Sequence, residues 1–149
     1  GDTVSIGIGL PMFIRGMSDT VKAKLARFDV VEVRDEPLDR GTPAEVRSRE
    51  GERVLRAAEG WRLVLFDATG DAVTSAGLAE RVSAWEEQPP QRTAFAIGGA
   101  EGHGPDVRAR ADAVLSLGAI TLPHQLARVV VAEQLYRALT IARGLPYHR

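Results

Sequence analysis

Short apolar runs alternate along the whole chain with segments of helical periodicity. Each run is brief and is bounded by Gly, Pro or charged residues, which is typical of buried strands. Because helical segments rather than tight turns separate the runs, the pattern predicts an α/β fold: a three-layer sandwich with a mostly parallel sheet of five to six strands. The five clearest predicted strands are Val4–Ile8, Val30–Val33, Arg62–Phe66, Thr93–Ile97 and Ala113–Leu117.

Two of the intervening helices have clear signals in the sequence. Thr42 is a good N-cap, Pro43 suits the first helical position and Glu45 completes a capping box, so a helix should begin here. Another helix should begin near Ser75, with apolar residues at helical spacing on one of its faces. Trp85 lies on that face, and we therefore expect it in the core.

The last helical segment, from about His124 to Arg143, is apolar on nearly its whole circumference. A helix of this kind must be buried on several sides, and a chain of this length offers few inner surfaces. We therefore expect part of the helix to lie between two copies of the chain, in a homodimer. Its apolar residues are Leu126, Val129, Val130, Val131, Leu135, Leu139 and Ile141.

Length and composition exclude several classes of protein. The 149 residues fit one domain, and we treat residues 1–149 as a single unit. The chain has no Cys, no apolar run long enough for a membrane span, and three His without the spacing of a metal cluster. We therefore expect no disulfide, no membrane span and no metal site. The first residues lack the pattern of a secretory signal, so we expect a cytoplasmic protein.

The charge is distributed unevenly along the chain. Residues 1–90 contain 12 Lys and Arg and 16 Asp and Glu, a net charge of −4, whereas residues 91–149 contain 7 and 4, a net charge of +3. All seven basic residues of the second part are Arg, whose planar guanidinium suits phosphate. Both a nucleic-acid partner and an ordinary solvated surface agree with this distribution.

Two predicted loops follow strands at their C-terminal ends, where open α/β sheets bind ligands. Gly98–Pro105 is rich in Gly, which lets backbone approach a ligand, although its spacing matches neither a Walker loop nor the dinucleotide fingerprint. Leu117–His124 is apolar apart from Thr121 and its final His, as expected of a wall for a flat apolar ring. A tight turn and a buried core connection are the corresponding structural alternatives.

The chain ends on three versatile side chains. Pro146–Arg149 places a phenol, an imidazole and a guanidinium next to one another. Chain ends usually fray, but a docked tail would bring all three groups to a substrate. The spacing alone does not decide between the two.

Read together, these segments resemble a known family. The match is carried by Phe95–Gly102, Leu115–His124, Arg128–Ala138 and Pro146–Arg149. The combination is similar to the ribosomal RNA large subunit methyltransferase H family, a group of small enzymes of the SPOUT class. The clear similarity covers roughly residues 93–149, and the length and order of elements agree over the whole chain.

The resemblance implies a SPOUT fold with a C-terminal trefoil knot, a homodimer, and S-adenosyl-L-methionine bound in the knot. It also implies methylation of N3 of a pseudouridine in a hairpin of 23S rRNA, on the assembled ribosome. The cofactor-binding residues that it implies are Phe66, Asp67, Gly98, Gly99, Gly102, Leu117, Gly118, Ala119, Ile120, Thr121, Leu122 and Pro123.

For catalysis, the resemblance directs attention to the tail. His148 would accept the proton of N3, Arg149 would stabilise the developing charge, and Tyr147 would stack on the base or bond to it. Departures from the family pattern include His103, which stands where an apolar residue is common.

Other interpretations stay open. Arg128 and Arg137 would bind RNA phosphate, or would form a dimer salt bridge with Glu133. The chain as a whole could be a cofactor-binding SPOUT protein that acts on a different RNA, or a non-catalytic flavodoxin-like module that holds a phosphate-containing ligand. The last alternative predicts a charged or hydroxyl-rich second loop, and that loop offers only the hydroxyl of Thr121.

Overall fold

The computed structural model describes residues 3–5, 28–32, 41–90, 92–97, 103–118, 122 and 124–144. These residues form strands and helices that alternate along the chain. In chain order the elements are β1 (Thr3–Ser5), β2 (Phe28–Glu32), α1 (Pro43–Ala57), β3 (Arg62–Ala72), α2 (Ser75–Glu87), β4 (Thr93–Ile97), α3 (Pro105–Arg110), β5 (Ala113–Ser116) and α4 (His124–Ala142).

The described strands form one sheet in the order β1-β2-β4-β3-β5. β1 runs antiparallel to β2, and the other three pairs of neighbours are parallel. This arrangement confirms the predicted α/β class with a mostly parallel sheet. β3 lies between β4 and β5, so the chain passes across β3 on its way from β4 to β5.

Helices cover both faces of the sheet. Along β3, Val64 and Phe66 pack with α2 and α4, whereas Leu63 and Leu65 pack with α1 and α3. β4 follows the same alternation, with Phe and Ile on the first face and Ala on the second. Strands buried on both faces need apolar side chains at every position, which explains the continuous apolar runs in the sequence.

Several predicted boundaries are confirmed. β4 has the predicted bounds, and α1 begins after Thr42, whose Oγ1 accepts a hydrogen bond from the Glu45 N–H at 3.2 Å. α2 begins at Ser75, as predicted. Residues 6–8 and residue 33, which belong to the first two predicted strands, lie outside the described residues.

The predicted end of β3 at Phe66 is wrong. The strand continues to Ala72, with an irregularity in its pairing with β5. The polar residues that follow Phe66 indicated a turn, but pairing with the neighbouring strand resumes beyond them.

In the described part of the chain, the last helix is buried mainly along one face. Val131, Leu135 and Leu139 are fully buried, whereas Leu126 is 49% exposed and Val129 is 42% exposed. Among the described residues, burial on several sides is therefore incomplete at Leu126 and Val129, and the homodimer stays a prediction. An apolar row near the start of α4 is left uncovered.

A buried Arg holds together the sheet edge at which the parallel strands begin. Arg62 donates hydrogen bonds to the carbonyl oxygens of Trp85 and Gln88 and to Oγ1 of Thr93, at 3.1 to 3.2 Å. Its guanidinium carbon lies 5.7 Å from the centroid of the Trp85 ring. That ring packs against Phe95, which confirms its predicted place in the core.

Candidate functional site

β4 and β5 end at one edge of the sheet, on either side of the point where the pairing of β3 is interrupted. Phe66 on β3 lies opposite Ile97 on β4 and opposite Leu115 on β5. The chain leaves β3 toward α2 on one face of the sheet and leaves β4 toward α3 on the other face. Connections that depart to opposite faces leave a crevice between the strand ends, which is where open α/β sheets bind ligands.

β3 carries a bulge at this edge. Phe66 and Asp71 both lie opposite Leu115, so Asp67–Gly70 has no partner on β5; we call these four residues the β3 bulge. A Cβ on Gly70 would come within 2.8 Å of backbone atoms of Val114 and Leu115. Since backbone atoms cannot rotate away, the close approach of the bulge to β5 requires Gly at this position.

Polar side chains hold the bulge in place. Oδ1 of Asp67 accepts hydrogen bonds from the N–H and the hydroxyl of Thr69, at 2.9 and 2.8 Å. Nη2 of Arg108 on α3 donates to Oδ2 of Asp67 at 2.6 Å and to Oγ1 of Thr69 at 2.8 Å. The three side chains therefore form a closed ring of hydrogen bonds, and this ring joins the bulge to α3.

His103 makes a second connection between the two segments. Its side chain is buried, and Nε2 lies 3.2 Å from the carbonyl oxygen of Phe66, the last residue before the bulge. A carbonyl oxygen can only accept, so Nε2 carries the proton in this contact. We refer to Asp67, Thr69, His103 and Arg108 as the strand-end cluster.

The surroundings shift the pKa of both titratable members of the cluster. Burial lowers the pKa of His103 below its ordinary value, and the hydrogen bond to Phe66 and the charge of Asp67 oppose this effect without cancelling it. For Asp67, burial alone would raise the pKa, but the hydrogen bonds from Thr69 and the charge of Arg108 outweigh burial and lower it. At neutral pH the cluster therefore contains a neutral imidazole and an ionised carboxylate.

The end of β5 forms an apolar wall beside this cluster. Leu117 is 36% exposed, and Leu122 packs, half-buried, against the same core cluster as Phe66. Gly118 has a φ of +123°, and a Cβ at this position would meet no atom within 4 Å. The N–H of Gly118 donates to Oγ of Ser116 at 3.1 Å, and that hydroxyl lies 3.2 Å from the Gly118 carbonyl oxygen, so the free space lies on the side where a Cβ would stand. Apolar side chains beside such a space fit a flat, mostly apolar ring. The residues present therefore suit an adenine ring.

The predicted cofactor residues fall into two groups. Phe66 and Asp67 lie within β3 where its bulge begins, and Leu117 and Gly118 directly follow β5. Leu122 lies farther along the chain and packs against the core cluster that contains Phe66. The remaining predicted cofactor and catalytic residues lie outside the described residues. These are Gly98, Gly99, Gly102, Ala119, Ile120, Thr121, Pro123, Tyr147, His148 and Arg149.

The predicted RNA-binding residues Arg128 and Arg137 both lie on α4 and are partly exposed. Arg137 donates from Nε and Nη2 to Oε1 of Glu133, at 3.0 and 2.7 Å. The pair of Arg137 and Glu133, considered above as a contact between two copies, thus forms within one chain.

Sequence reasoning missed the roles of Thr69 and Arg108. Asp67-Ala68-Thr69 has the spacing of a turn in which the Asp side chain bonds to the backbone two residues later, and this signal was available in the sequence. The contact with Arg108 joins residues 41 positions apart and has no counterpart in local spacing.

The part of the chain that the structure describes contains neither a group of metal-ligating residues nor a membrane-spanning helix. None of its groups of His, Asp and Glu has three or more members placed to hold a metal ion. None of its helices is long and apolar enough to cross a membrane.

Comparison with known proteins places these features in a family. The family described as "Predicted SPOUT methyltransferase" matches residues 12–148. The chain is 46% identical over 115 residues to the ribosomal RNA large subunit methyltransferase H of Brucella anthropi, covering 76% of this chain and 72% of the relative.

Two further relatives have the same name. The protein of Anaeromyxobacter dehalogenans is 46% identical over 124 residues, which are 83% of this chain and 80% of the relative. The protein of Thermus thermophilus is 50% identical over 101 residues, which are 68% of this chain and 72% of the relative.

Proposed function

The chain belongs to the SPOUT methyltransferase family, and on this premise we propose that it methylates N3 of a pseudouridine in a hairpin of 23S rRNA. The methyl donor is S-adenosylmethionine, and the substrate is the assembled ribosome. The names of the relatives support rRNA as the substrate class. The observation that carries the proposal is the alignment of the β3 bulge with the C-terminal ends of β4 and β5, at Phe66, Ile97 and Leu115.

When bound, S-adenosylmethionine supplies an electrophilic methyl group on a sulfonium sulfur. The apolar side chains of Leu117 and Leu122, which follow β5, would hold the adenine ring of the cofactor. Gly98, Gly99 and Gly102 complete the site from the segment after β4, together with Ala119–Pro123 after β5. Phe66, buried in the core directly before the β3 bulge, would support the site from the sheet.

The acceptor nitrogen must lie in line with the methyl group and must lose its proton. Positioning of the base supplies most of the rate enhancement in a transfer of this kind. His148 accepts the proton of N3, Arg149 stabilises the negative charge that develops on the base, and Tyr147 holds the base by stacking or by a hydrogen bond.

Arg128 and Arg137 bind the phosphates of the rRNA hairpin. The net charge of +3 over residues 91–149 supports this role, because a protein that docks on a preformed ribosomal surface needs only a local basic face. Arg137 keeps its contact with Glu133, which fixes the direction of its guanidinium.

The functional unit is a homodimer with a C-terminal trefoil knot in each copy. The uncovered apolar row at Leu126 and Val129 supports the dimer, because large apolar side chains exposed next to one another on a helix favour burial against a partner. The knot rests on the family alone.

The test is transfer of a labelled methyl group from S-adenosylmethionine to purified ribosomes that lack the modification, compared with free rRNA. We expect transfer to ribosomes and little to free rRNA. If the protein binds the cofactor in calorimetry but methylates neither substrate, the second candidate, a SPOUT enzyme for a different RNA, replaces this proposal. If it does not bind the cofactor, the methyltransferase assignment itself fails.

Removal of Tyr147–Arg149 tests the assignment of the catalytic side chains separately. We expect the truncated chain to bind S-adenosylmethionine as tightly as the full chain does and to transfer no methyl group. A truncated chain that remains active would exclude His148 as the proton acceptor.

A further inference from the structure

The strand-end cluster joins two segments that come from different parts of the chain. Arg108 binds both Asp67 and Thr69, at 2.6 and 2.8 Å, and His103 binds the carbonyl oxygen of Phe66 at 3.2 Å. His103 and Arg108 follow residues 98–102 in the chain, and Asp67 and Thr69 belong to the β3 bulge. The cluster therefore sets the distance between the β3 bulge and the segment from His103 to Arg108.

The carboxylate of Asp67 has little capacity left for a ligand. Its two oxygens accept three hydrogen bonds from Thr69 and Arg108, and its side chain is 9% exposed. A carboxylate has about four acceptor positions, so one at most is left for a further donor, and burial limits access to it. The side chain of Asp67 is thus directed to Arg108 and Thr69 and away from direct cofactor contact.

We infer that Arg108 is a positioning residue for the methyl-donor site: through Asp67 and Thr69 it holds the β3 bulge at the spacing that the cofactor requires. The inference rests on the proposed function, because it assumes that the cofactor binds beside the β3 bulge, at the ends of β4 and β5. Asp67 and Thr69 act as the partners through which Arg108 works, and His103 fixes the residue before the bulge.

The location of Arg108 separates this role from a general role in stability. Its side chain is 38% exposed, and ion pairs at such positions contribute little to the stability of the fold because water solvates the partners when the pair breaks. Removal of Arg108 should therefore change the unfolding midpoint only slightly. The shape of the site depends on the pair more strongly, since the bulge has no ladder partner on β5 to hold it.

Arg108→Met and Arg108→Lys test the inference by direct binding. A single nitrogen, Nη2, makes both contacts, so the ammonium of Lys can replace it whereas the thioether of Met cannot. By calorimetry we expect R108M to bind S-adenosylmethionine and S-adenosylhomocysteine about tenfold more weakly than the wild type, and R108K to lie within about threefold. In transfer assays, R108M should raise KM for the cofactor more than it lowers kcat.

Arg110→Met is the matched control. Arg110 lies on the same helix and is 39% exposed, and it pairs with Asp112 and donates to the carbonyl oxygen of Trp61, away from the β3 bulge. This variant loses the same charge and a similar number of hydrogen bonds. We expect its cofactor affinity to stay within about twofold of the wild type, a difference too small to indicate a lost charged contact.

The outcomes separate the inference from the proposed function. If R108M binds both ligands as the wild type does, the positioning role is overturned and the proposed function stands. The role is also overturned if R110M loses as much cofactor affinity as R108M. It is overturned as well if urea unfolding shows that R108M is largely unfolded under assay conditions while R108K binds the cofactor as weakly as R108M does. If the wild type binds neither ligand, the proposed function fails and this inference fails with it.

Discussion

Replacing Gly70 with Ala adds one methyl group where the β3 bulge lies against β5. The added carbon would come within 2.8 Å of three backbone atoms, two in Leu115 and one in Val114. Carbon and nitrogen atoms normally stay about 3.5 Å or more from a non-bonded carbon. Either the bulge or β5 must move, and both belong to the sheet.

The size of the effect follows because no side-chain rotation can relieve the contact between the added methyl group and the β5 backbone. Overpacking in a well-packed region costs about 1 to 3 kcal/mol, and relief here requires movement of backbone rather than rotation of a side chain. We expect Gly70→Ala to lower the free energy of unfolding by about 2 to 3 kcal/mol, at the upper end of that range. At a urea slope of about 2 kcal/mol per molar, the midpoint should fall by roughly 1 M.

The assay is urea unfolding followed by circular dichroism, at one fixed protein concentration because association shifts apparent stability. Gly77→Ala is the control: Gly77 lies in α2, and the nearest atom to its added Cβ is Oγ1 of Thr74 at 3.2 Å. There the helix-favouring Ala offsets mild crowding, so we expect a change below about 1 kcal/mol. The reasoning is refuted if Gly70→Ala stays within about 0.5 kcal/mol of the wild type, the ordinary range of surface substitutions.

Three further predictions concern other parts of the molecule. Burial lowers the pKa of His103, so the unfolded chain takes up a proton at this side chain first as the pH falls through about 6.5, and stability present above that pH is lost below it. Urea midpoints measured from pH 7.5 to 5.5 should therefore fall more steeply for the wild type than for His103→Leu. Parallel curves would contradict a buried neutral imidazole. Arg62→Met should lower the free energy of unfolding in urea by about 3 kcal/mol, since it removes three hydrogen bonds from a buried guanidinium. It should leave cofactor affinity unchanged, because Arg62 lies at the opposite ends of the strands. Weaker cofactor binding would refute this separation. In sedimentation at micromolar concentration, Leu126→Glu should convert the proposed dimer to a folded monomer. Ala109→Glu, an exposed control on α3, should not. A wild-type protein that sediments as a monomer would refute the dimer.

The sequence predicts the fold class well because burial on both faces of the sheet requires continuous apolar runs. Thr93–Ile97 is correct at both ends, since every one of its side chains is buried. The start of α1 is also correct, because the cap at Thr42 is a local hydrogen bond between residues three apart. Local physics of this kind is visible in a single sequence.

The prediction for β3 fails for a non-local reason. The polar residues after Phe66 have the composition of a turn, and nothing near them in the sequence indicates that Asp71 pairs again with β5. The same limit applies to the site: the ends of β3 and β5 are predictable as binding positions, whereas the bond between Asp67 and Arg108 depends on how the chain brings α3 across the sheet. Long-range contacts of this kind require the tertiary structure.

The central claim, that this SPOUT methyltransferase acts on a pseudouridine of large-subunit rRNA, is tested most directly by identifying the methylated nucleoside. Ribosomes that lack the modification are incubated with the protein and S-adenosylmethionine, and their rRNA is digested and analysed by mass spectrometry. The account predicts 3-methylpseudouridine, at up to one copy per large subunit. A methyl group on another base, on a ribose hydroxyl or on a ribosomal protein would contradict it.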